Sequence, residues 1–399
     1  MPLPGHDRPA EQPAARPAVE IAIALAGVAL LAIALVANQG WLDRHFLPSF
    51  FLARRTYVLL ETIARCAIGG IGVSLIVVRA RLARILTQSP GRVVQVAVAA
   101  ALALVASEFV LRHVQLRPAE WLGRDQEPRR MADARLGWRF VPSRTGHGTI
   151  GGRTVDYAFD AAGYRVHRPG EPVDPERPTI LFTGESVMFG KALRWDESIP
   201  AQVGAMLGVQ SANLAVDGYG SDQAFLRLQA ELPHFQRPAA VVAIFVTTLF
   251  GRNLDDDRPH LGPGLTWLPG VAHGRVRSLV QLIAPYRSSA TVERGIAVTR
   301  EVYDAVVKLA TARGATPLVL VLQVGREDVV EQALRRRIFD GAGLPGLLVE
   351  VDPAWRVPGD VHPDARAAHA IAAAVASRLR ASTTVTATTM TARSSRSPS

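Results

Sequence analysis

Apolar positions are arranged in two different ways along the 399 residues. In the first quarter they run unbroken. Ile21 to Ala37 is a stretch of 17 residues without a polar side chain, followed by Trp41 and Arg44, which suits a membrane-spanning helix with an interfacial anchor. A second stretch, Tyr57 to Val78, contains Glu61 and Arg65 at a spacing that lets them pair on one helix face, and Gly70 and Ser74 at the small-xxx-small spacing that permits close helix approach. A third, Val93 to Val110, is interrupted only by Gln95, Ser107 and Glu108. At ~1.5 Å per residue it reaches roughly 27 Å, enough to cross a bilayer core.

Beyond about Arg177 the apolar positions come in short runs. Thr179–Thr183, Ala212–Ala215, Ala240–Val246, Leu318–Gln323 and Leu347–Val351 alternate with longer helical patterns, Gln202–Leu207, Gln223–Leu232, Val298–Ala312 and Val329–Ile338. That alternation predicts an α/β unit whose mostly parallel, five-stranded sheet is covered on both faces. Between the two regimes, residues 118–177 are turn-rich, and Thr154–Phe159 after Gly151-Gly152 reads as one arm of a hairpin. The expected organisation is a disordered lead-in (1–18), a membrane domain of three helices (19–117), a β-rich preamble (118–177), the α/β domain (178–380) and a Ser/Thr-rich disordered tail (381–399).

Charge sharpens this division. The chain carries a formal +10, but residues 118–377 hold 29 basic and 29 acidic side chains, so the excess lies in the flanks. A neutral body argues against nucleic acid as a partner and for basic residues placed beside a membrane. Arg79, Arg81, Arg84 and Arg92 form the densest basic cluster, which marks the connection between the second and third stretches as a cytoplasmic loop. Three crossings then put the α/β domain outside the cytoplasm, in a multi-pass protein of the plasma membrane. Arg54, Arg55, Arg112 and Arg117 count for the opposite orientation, and if the second stretch only lies in the interface the domain changes sides. Cys66, the single cysteine, reads as a small buried hydrophobe within that second stretch.

In an open parallel sheet, ligands gather at the carboxyl ends of the strands. Those ends carry Gly184-Glu185-Ser186, Asp217-Gly218-Tyr219-Gly220, Thr247-Thr248 followed by Asn253, and Asp360-Val361-His362. This set fits acyl transfer. Ser186 is a nucleophile that needs a base, His362 is that base, and Asp360 can fix its tautomer. The backbone N–H groups of Ser186 and Gly218, with Asn253 or a nearby threonine hydroxyl, are the candidate oxyanion hole. Asp255-Asp256-Asp257 with His260, and Asp360, His362 and Asp364, match no strong metal motif and read as solvated or catalytic groups. No metal or cofactor is expected. Asn213 and Asp222 are expected to brace the loops.

In combination these blocks resemble the SGNH/GDSL family of serine hydrolases. The first is Phe182-Thr183-Gly184-Glu185-Ser186-Val187-Met188-Phe189-Gly190, the second Asn213-Leu214-Ala215-Val216-Asp217-Gly218-Tyr219-Gly220-Ser221-Asp222-Gln223, the last Gly359-Asp360-Val361-His362-Pro363-Asp364. The resemblance covers about Leu136 to Arg378 and implies a flavodoxin-like three-layer sandwich with Ser186 as nucleophile, His362 as base and the Ser186 and Gly218 amides in the oxyanion hole. Three positions depart from the family pattern. Glu185 stands where the family has Asp, Val246-Thr247-Thr248-Leu249 replaces the third block's Gly-x-Asn-Asp, and Gly359 occupies the usual Asp position, leaving Asp360 one residue nearer the histidine. The expected function is a membrane-anchored esterase acting on an acylated small molecule, envelope glycan or lipid. An acyltransferase using the same serine and a non-catalytic binding module remain as alternatives, and no segment specifies an oligomeric state.

Overall fold

The computed structural model describes residues 15–114, 116 and 127–394 and falls into two compact units. The first unit runs to Arg44 and resumes from Ala53 to Val114; the second comprises His45–Leu52 and everything from Gln115 onward.

The first unit is helical: α1 (Ala15–Val36), α2 (Gln39–His45), α3 (Arg54–Gln88) and α4 (Pro90–Leu111). Three of these, α1, α3 and α4, are long and apolar enough to cross a membrane, and their apolar side chains are largely exposed. The helix α3 does not stop at Val78. No breaker occurs before Ser89-Pro90, so Arg79, Arg81 and Arg84 lie on its last turns rather than in the expected loop. Glu61 and Arg65 do not pair with each other either. Glu61 Oε2 accepts from Gln39 Nε2 at 2.8 Å and Arg65 Nε donates to the Ala34 carbonyl at 3.2 Å. Close approach of α1 and α3 occurs at Gly27 and Gly72, where a Cβ on either would meet the other's carbonyl oxygen below 3.0 Å, whereas Gly70 faces open space. Cys66 is exposed on α3, not buried.

In the second unit the preamble supplies β1 (Arg130–Asp133), β2 (Gly137–Phe140), β3 (Thr145–Ile150), β4 (Arg153–Phe159) and β5 (Arg165–Val166). The α/β region then runs β6 (Thr179–Thr183), α5 (Ser186–Phe189), α6 (Ile199–Leu207), β7 (Gln210–Asn213), α7 (Ser221–Glu231), β8 (Pro238–Val246), a 3₁₀ segment (Thr247–Leu254), and the short pair β9 (His260–Leu261) and β10 (Trp267–Leu268). It finishes with α8 (Arg275–Ile283), α9 (Ser289–Ala312), β11 (Thr316–Val324), α10 (Val329–Phe339), β12 (Gly346–Val351) and α11 (Ala365–Ser394). The backbone of α11 thus continues into the Ser/Thr-rich stretch read from composition as a tail, while the lead-in before residue 15 and residues 395–399 lie outside the described residues.

The main sheet has eight strands, in the order β12-β11-β8-β6-β7-β5-β4-β3, and not the expected five. Five of them, β12, β11, β8, β6 and β7, are mutually parallel. The other three come from the preamble, which continues the sheet antiparallel: Arg165 pairs with Asn213 on the edge of β7, and the β3–β4 hairpin, turning at Gly151-Gly152, follows. An exposed edge strand leaves backbone donors and acceptors unpaired, and the preamble satisfies them. The central strands read as unbroken apolar runs because both faces are covered; Val241, Val242, Val319 and Leu320 are all buried. Packed helix pairs α6 with α11, and α7 and α10 with α9, form the covering layers.

Candidate active site

At the carboxyl end of β6 the chain turns sharply into the one-turn helix α5. A Cβ on Gly184 would lie 2.2 Å from Ile244 Cγ2 on β8, and its φ of +152° is one that other residues rarely adopt, so only glycine lets the turn pass this close to the neighbouring strand. Glu185 caps α5 by accepting from Val187 N at 2.9 Å. The far end of α5 is held by two side chains from the paired strands β5 and β7. Asn213 Nδ2 donates to the Met188 and Phe189 carbonyls, and Arg165 Nη1 to those of Phe189 and Gly190 at 2.8 Å. The Arg165 guanidinium is fully buried between the Tyr157 and Phe189 rings, 4.8 and 5.0 Å from their centroids, and burial lowers its pKa to about 10.

Ser186, thus fixed, is fully buried, and its Oγ lies 2.9 Å from His362 Nε2. His362 comes from the loop between β12 and α11, and its Nδ1 is hydrogen-bonded to Asp360 Oδ1, which also accepts from the His362 backbone N–H at 2.8 Å. The shorter Asp-x-His spacing therefore still delivers a carboxylate to the ring. The hydrogen bond from His362 is the main reason the Asp360 carboxyl is held down to about 2. With the proton on Nδ1 facing Asp360, Nε2 is free to take the Ser186 proton. Ser186 Oγ also lies 2.8 Å from Glu185 Oε2, so its single proton has two acceptors within reach.

The loop after β7 is tied to the nucleophile turn through Val216 N–H donating to the Gly184 carbonyl at 3.1 Å. Gly218 sits there with φ +90°, packed under Trp138, whose Nε1 donates to the Asp217 carbonyl. Asp217 is buried, and burial alone would raise its pKa. Arg130 Nη2 at 2.7 Å and Lys191 Nζ at 3.2 Å outweigh that and hold it far below the usual carboxylate range.

The third strand end is where sequence and structure part. Asn253 does not reach toward Ser186 as a spare donor: its Nδ2 donates to Ser221 Oγ and Thr299 Oγ1, and its Oδ1 accepts from Ser221 N, so the amide braces the start of α7. On the same 3₁₀ segment two other polar groups are buried without a hydrogen-bond partner among the described residues, Thr247 Oγ1 and Arg252 Nη1. Burial lowers the Arg252 pKa, and the acids opposing that most strongly are Glu185 and Asp217, each immediately preceding one of the candidate amide donors. Asp255 pairs with Arg287 and Arg258, and Asp256 is hydrogen-bonded to His273, so these carboxylates are engaged by neighbouring side chains. The arrangement brings together Ser186, His362, Asp360 and the Glu185 and Asp217 loops, and gives Asn253 a different task. Arg130, Lys191, Arg165 and Arg252 escaped the sequence reading; a basic residue close to apolar neighbours was the available signal for Lys191, Arg165 and Arg252, and Arg130, next to Arg129, had none.

One further residue touches the site from outside the α/β domain. Phe50, from the segment His45–Leu52, packs into the core with its ring centroid 5.6 Å from that of His362.

No protein-family model and no curated protein matches the sequence. Among solved structures the chain is similar to an acetyl xylan esterase from the rumen bacterium Butyrivibrio proteoclasticus, at 11% identity and TM-score 0.33 over 53% of this chain and 66% of that one, slightly under two thirds of its length. It is also similar to a protein assigned as an SGNH hydrolase from Slackia heliotrinireducens, at 16% identity and TM-score 0.28 over 51% and 100%.

Proposed function

We propose that this chain is a membrane-anchored serine hydrolase of the SGNH type that works on carboxylic esters through an acyl-serine intermediate. The observation carrying this reading is the hydrogen-bonded chain Asp360–His362–Ser186 at the carboxyl edge of a parallel sheet. His362 Nε2 takes the hydroxyl proton as Ser186 Oγ attacks the ester carbonyl, and returns it to the leaving alkoxide. The oxyanion is met by the Ser186 and Gly218 amides. The third donor comes from the 3₁₀ segment, and its charge favours Arg252 over Asn253 and Thr247. Removal of one such donor costs on the order of 3–4 kcal/mol of barrier.

Connectivity bears on the membrane topology. His45–Leu52 lies between the first and second apolar helices, yet it packs in the same unit that follows the third. Two segments so placed share one side of a bilayer if all three helices cross it, and opposite sides if the second only lies in the interface. This supports three crossings, and the arginines Arg79, Arg81, Arg84 and Arg92 around the junction of the second and third apolar helices support placing the catalytic unit outside the cytoplasm, where acylated glycans and lipids of the envelope are the nearest substrates. The test is hydrolysis of p-nitrophenyl acetate by the detergent-solubilised full chain. Turnover that Ser186→Ala and His362→Ala abolish is the expected result; turnover unchanged in Ser186→Ala overturns the reading.

A further inference from the structure

In the acyl-enzyme, His362 has a second duty that sets the outcome of the reaction. It must take a proton from whatever nucleophile resolves the ester, so the space beside its ring admits either water or an organic hydroxyl. That space is covered. His362 and Phe50 are each only 5% exposed, and Ser186 is fully buried.

The cover is firmly seated. The backbone N–H of Arg287 donates to the His45 carbonyl at 2.8 Å, and the His45 ring stacks on Tyr286 at 5.4 Å while its Nε2 lies 3.1 Å from Ser289 Oγ. Phe46 forms a β-bridge with Tyr286. Leu47 packs against the core, and Phe51 and Leu52 are exposed. An apolar ring packed 5.6 Å from the imidazole of the general base, centroid to centroid, makes the surroundings of that imidazole poor in water.

We infer that Phe50 is a specificity-determining residue on the acceptor side of the site, which disfavours water and selects an organic alcohol as acyl acceptor. This rests on the acyl-serine reading above and makes the reaction a transfer. The acceptor hydroxyl gives its proton to His362 Nε2, its oxygen bonds to the acyl carbon, the bond from that carbon to Ser186 Oγ breaks, and the proton passes to Ser186 Oγ. One ester is exchanged for another. The acceptor must lay a carbon skeleton against an aromatic ring, which the apolar face of a sugar or an aliphatic alcohol can do.

The experiment supplies the solubilised full chain with p-nitrophenyl butyrate, with either methyl glucoside or n-butanol as acceptor, and measures ester product against free butyrate. Wild type is expected to favour transfer, and the better acceptor distinguishes sugar from aliphatic alcohol. Phe50→Ala is expected to lower the transfer-to-hydrolysis ratio about tenfold and to raise free butyrate release, with Phe50→Leu in between. A rise in hydrolysis is not something misfolding produces; if Phe50→Ala loses labelling of Ser186 by a fluorophosphonate, Phe50→Leu decides. An unchanged ratio in variants that still label overturns the inference. Absence of labelling in wild type instead overturns the acyl-serine reading itself.

Discussion

The floor of the site and its cover are built in opposite ways. The nucleophile turn, the Gly218 loop and the Asp360–His362 loop each follow the carboxyl end of a parallel strand, so local sequence places them and the sheet aligns them. The cover comes from His45–Leu52, separated from Ser186 by the apolar helices α3 and α4 and the whole preamble, and reaches His362 only through tertiary packing. On the proposed reading the two have different roles: the floor sets whether an acyl group is taken, the cover what receives it. Between them lies the 3₁₀ segment after β8, attached to the sheet like the floor but irregular like the cover.

The sharpest way to break this contrast is at the floor. Asp360→Asn keeps the shape of the site but removes the carboxylate that fixes the imidazole, and kcat for p-nitrophenyl acetate is expected to fall about 10²–10⁴-fold. A fall under about threefold would mean that another group orients His362. The intermediate segment is tested next. Arg252→Ala is expected to lower kcat on the order of 10²–10³-fold with little change in thermal stability, whereas Asn253→Ala, which unpins Ser221, is expected to destabilise the fold by about 1–3 kcal/mol and to affect kcat less. The reverse pattern would return the oxyanion role to Asn253, and a loss confined to Thr247→Val would give it to the hydroxyl.

The smallest effect concerns pH. Asp217 has a folded-state pKa well below the ~3.9 of an unfolded carboxyl, so its contribution to stability is complete above that value and is lost as pH falls below it. Asp217→Asn should therefore melt earlier than wild type at pH 7, because Arg130 and Lys191 lose their counter-charge, and should show a shallower decline between about pH 4 and 3. Parallel melting curves for the two proteins down to pH 3 would show that the two cations do not depend on Asp217.

What was legible in the sequence follows the same line. Of the five parallel strands, β6, β8 and β11 were readable because strands buried on both faces are continuous apolar runs, and β6 ends at Thr183 as its pattern indicates, whereas β7 lies at Gln210–Asn213, two residues before the expected Ala212–Ala215. The three additional strands were not, since the preamble's pairing with β7 rests on Arg165, a buried arginine whose carbonyl partners are distant in sequence. Ser186, His362 and Asp360 stood out as chemistry at strand ends. Asn253 misled because residue type and position matched a donor's, while its hydrogen bonds are with Ser221 and Thr299. Phe50 carried no signal at all, being one of three phenylalanines in an apolar connector.

The central claim, that Ser186 is an activated nucleophile, is most directly tested by treating the detergent-solubilised full chain with a fluorophosphonate probe and mapping the modified residue by peptide mass. The account predicts modification at Ser186 in wild type and its loss in His362→Ala. Folded protein in which Ser186 stays unmodified, or is modified equally well without His362, would contradict it.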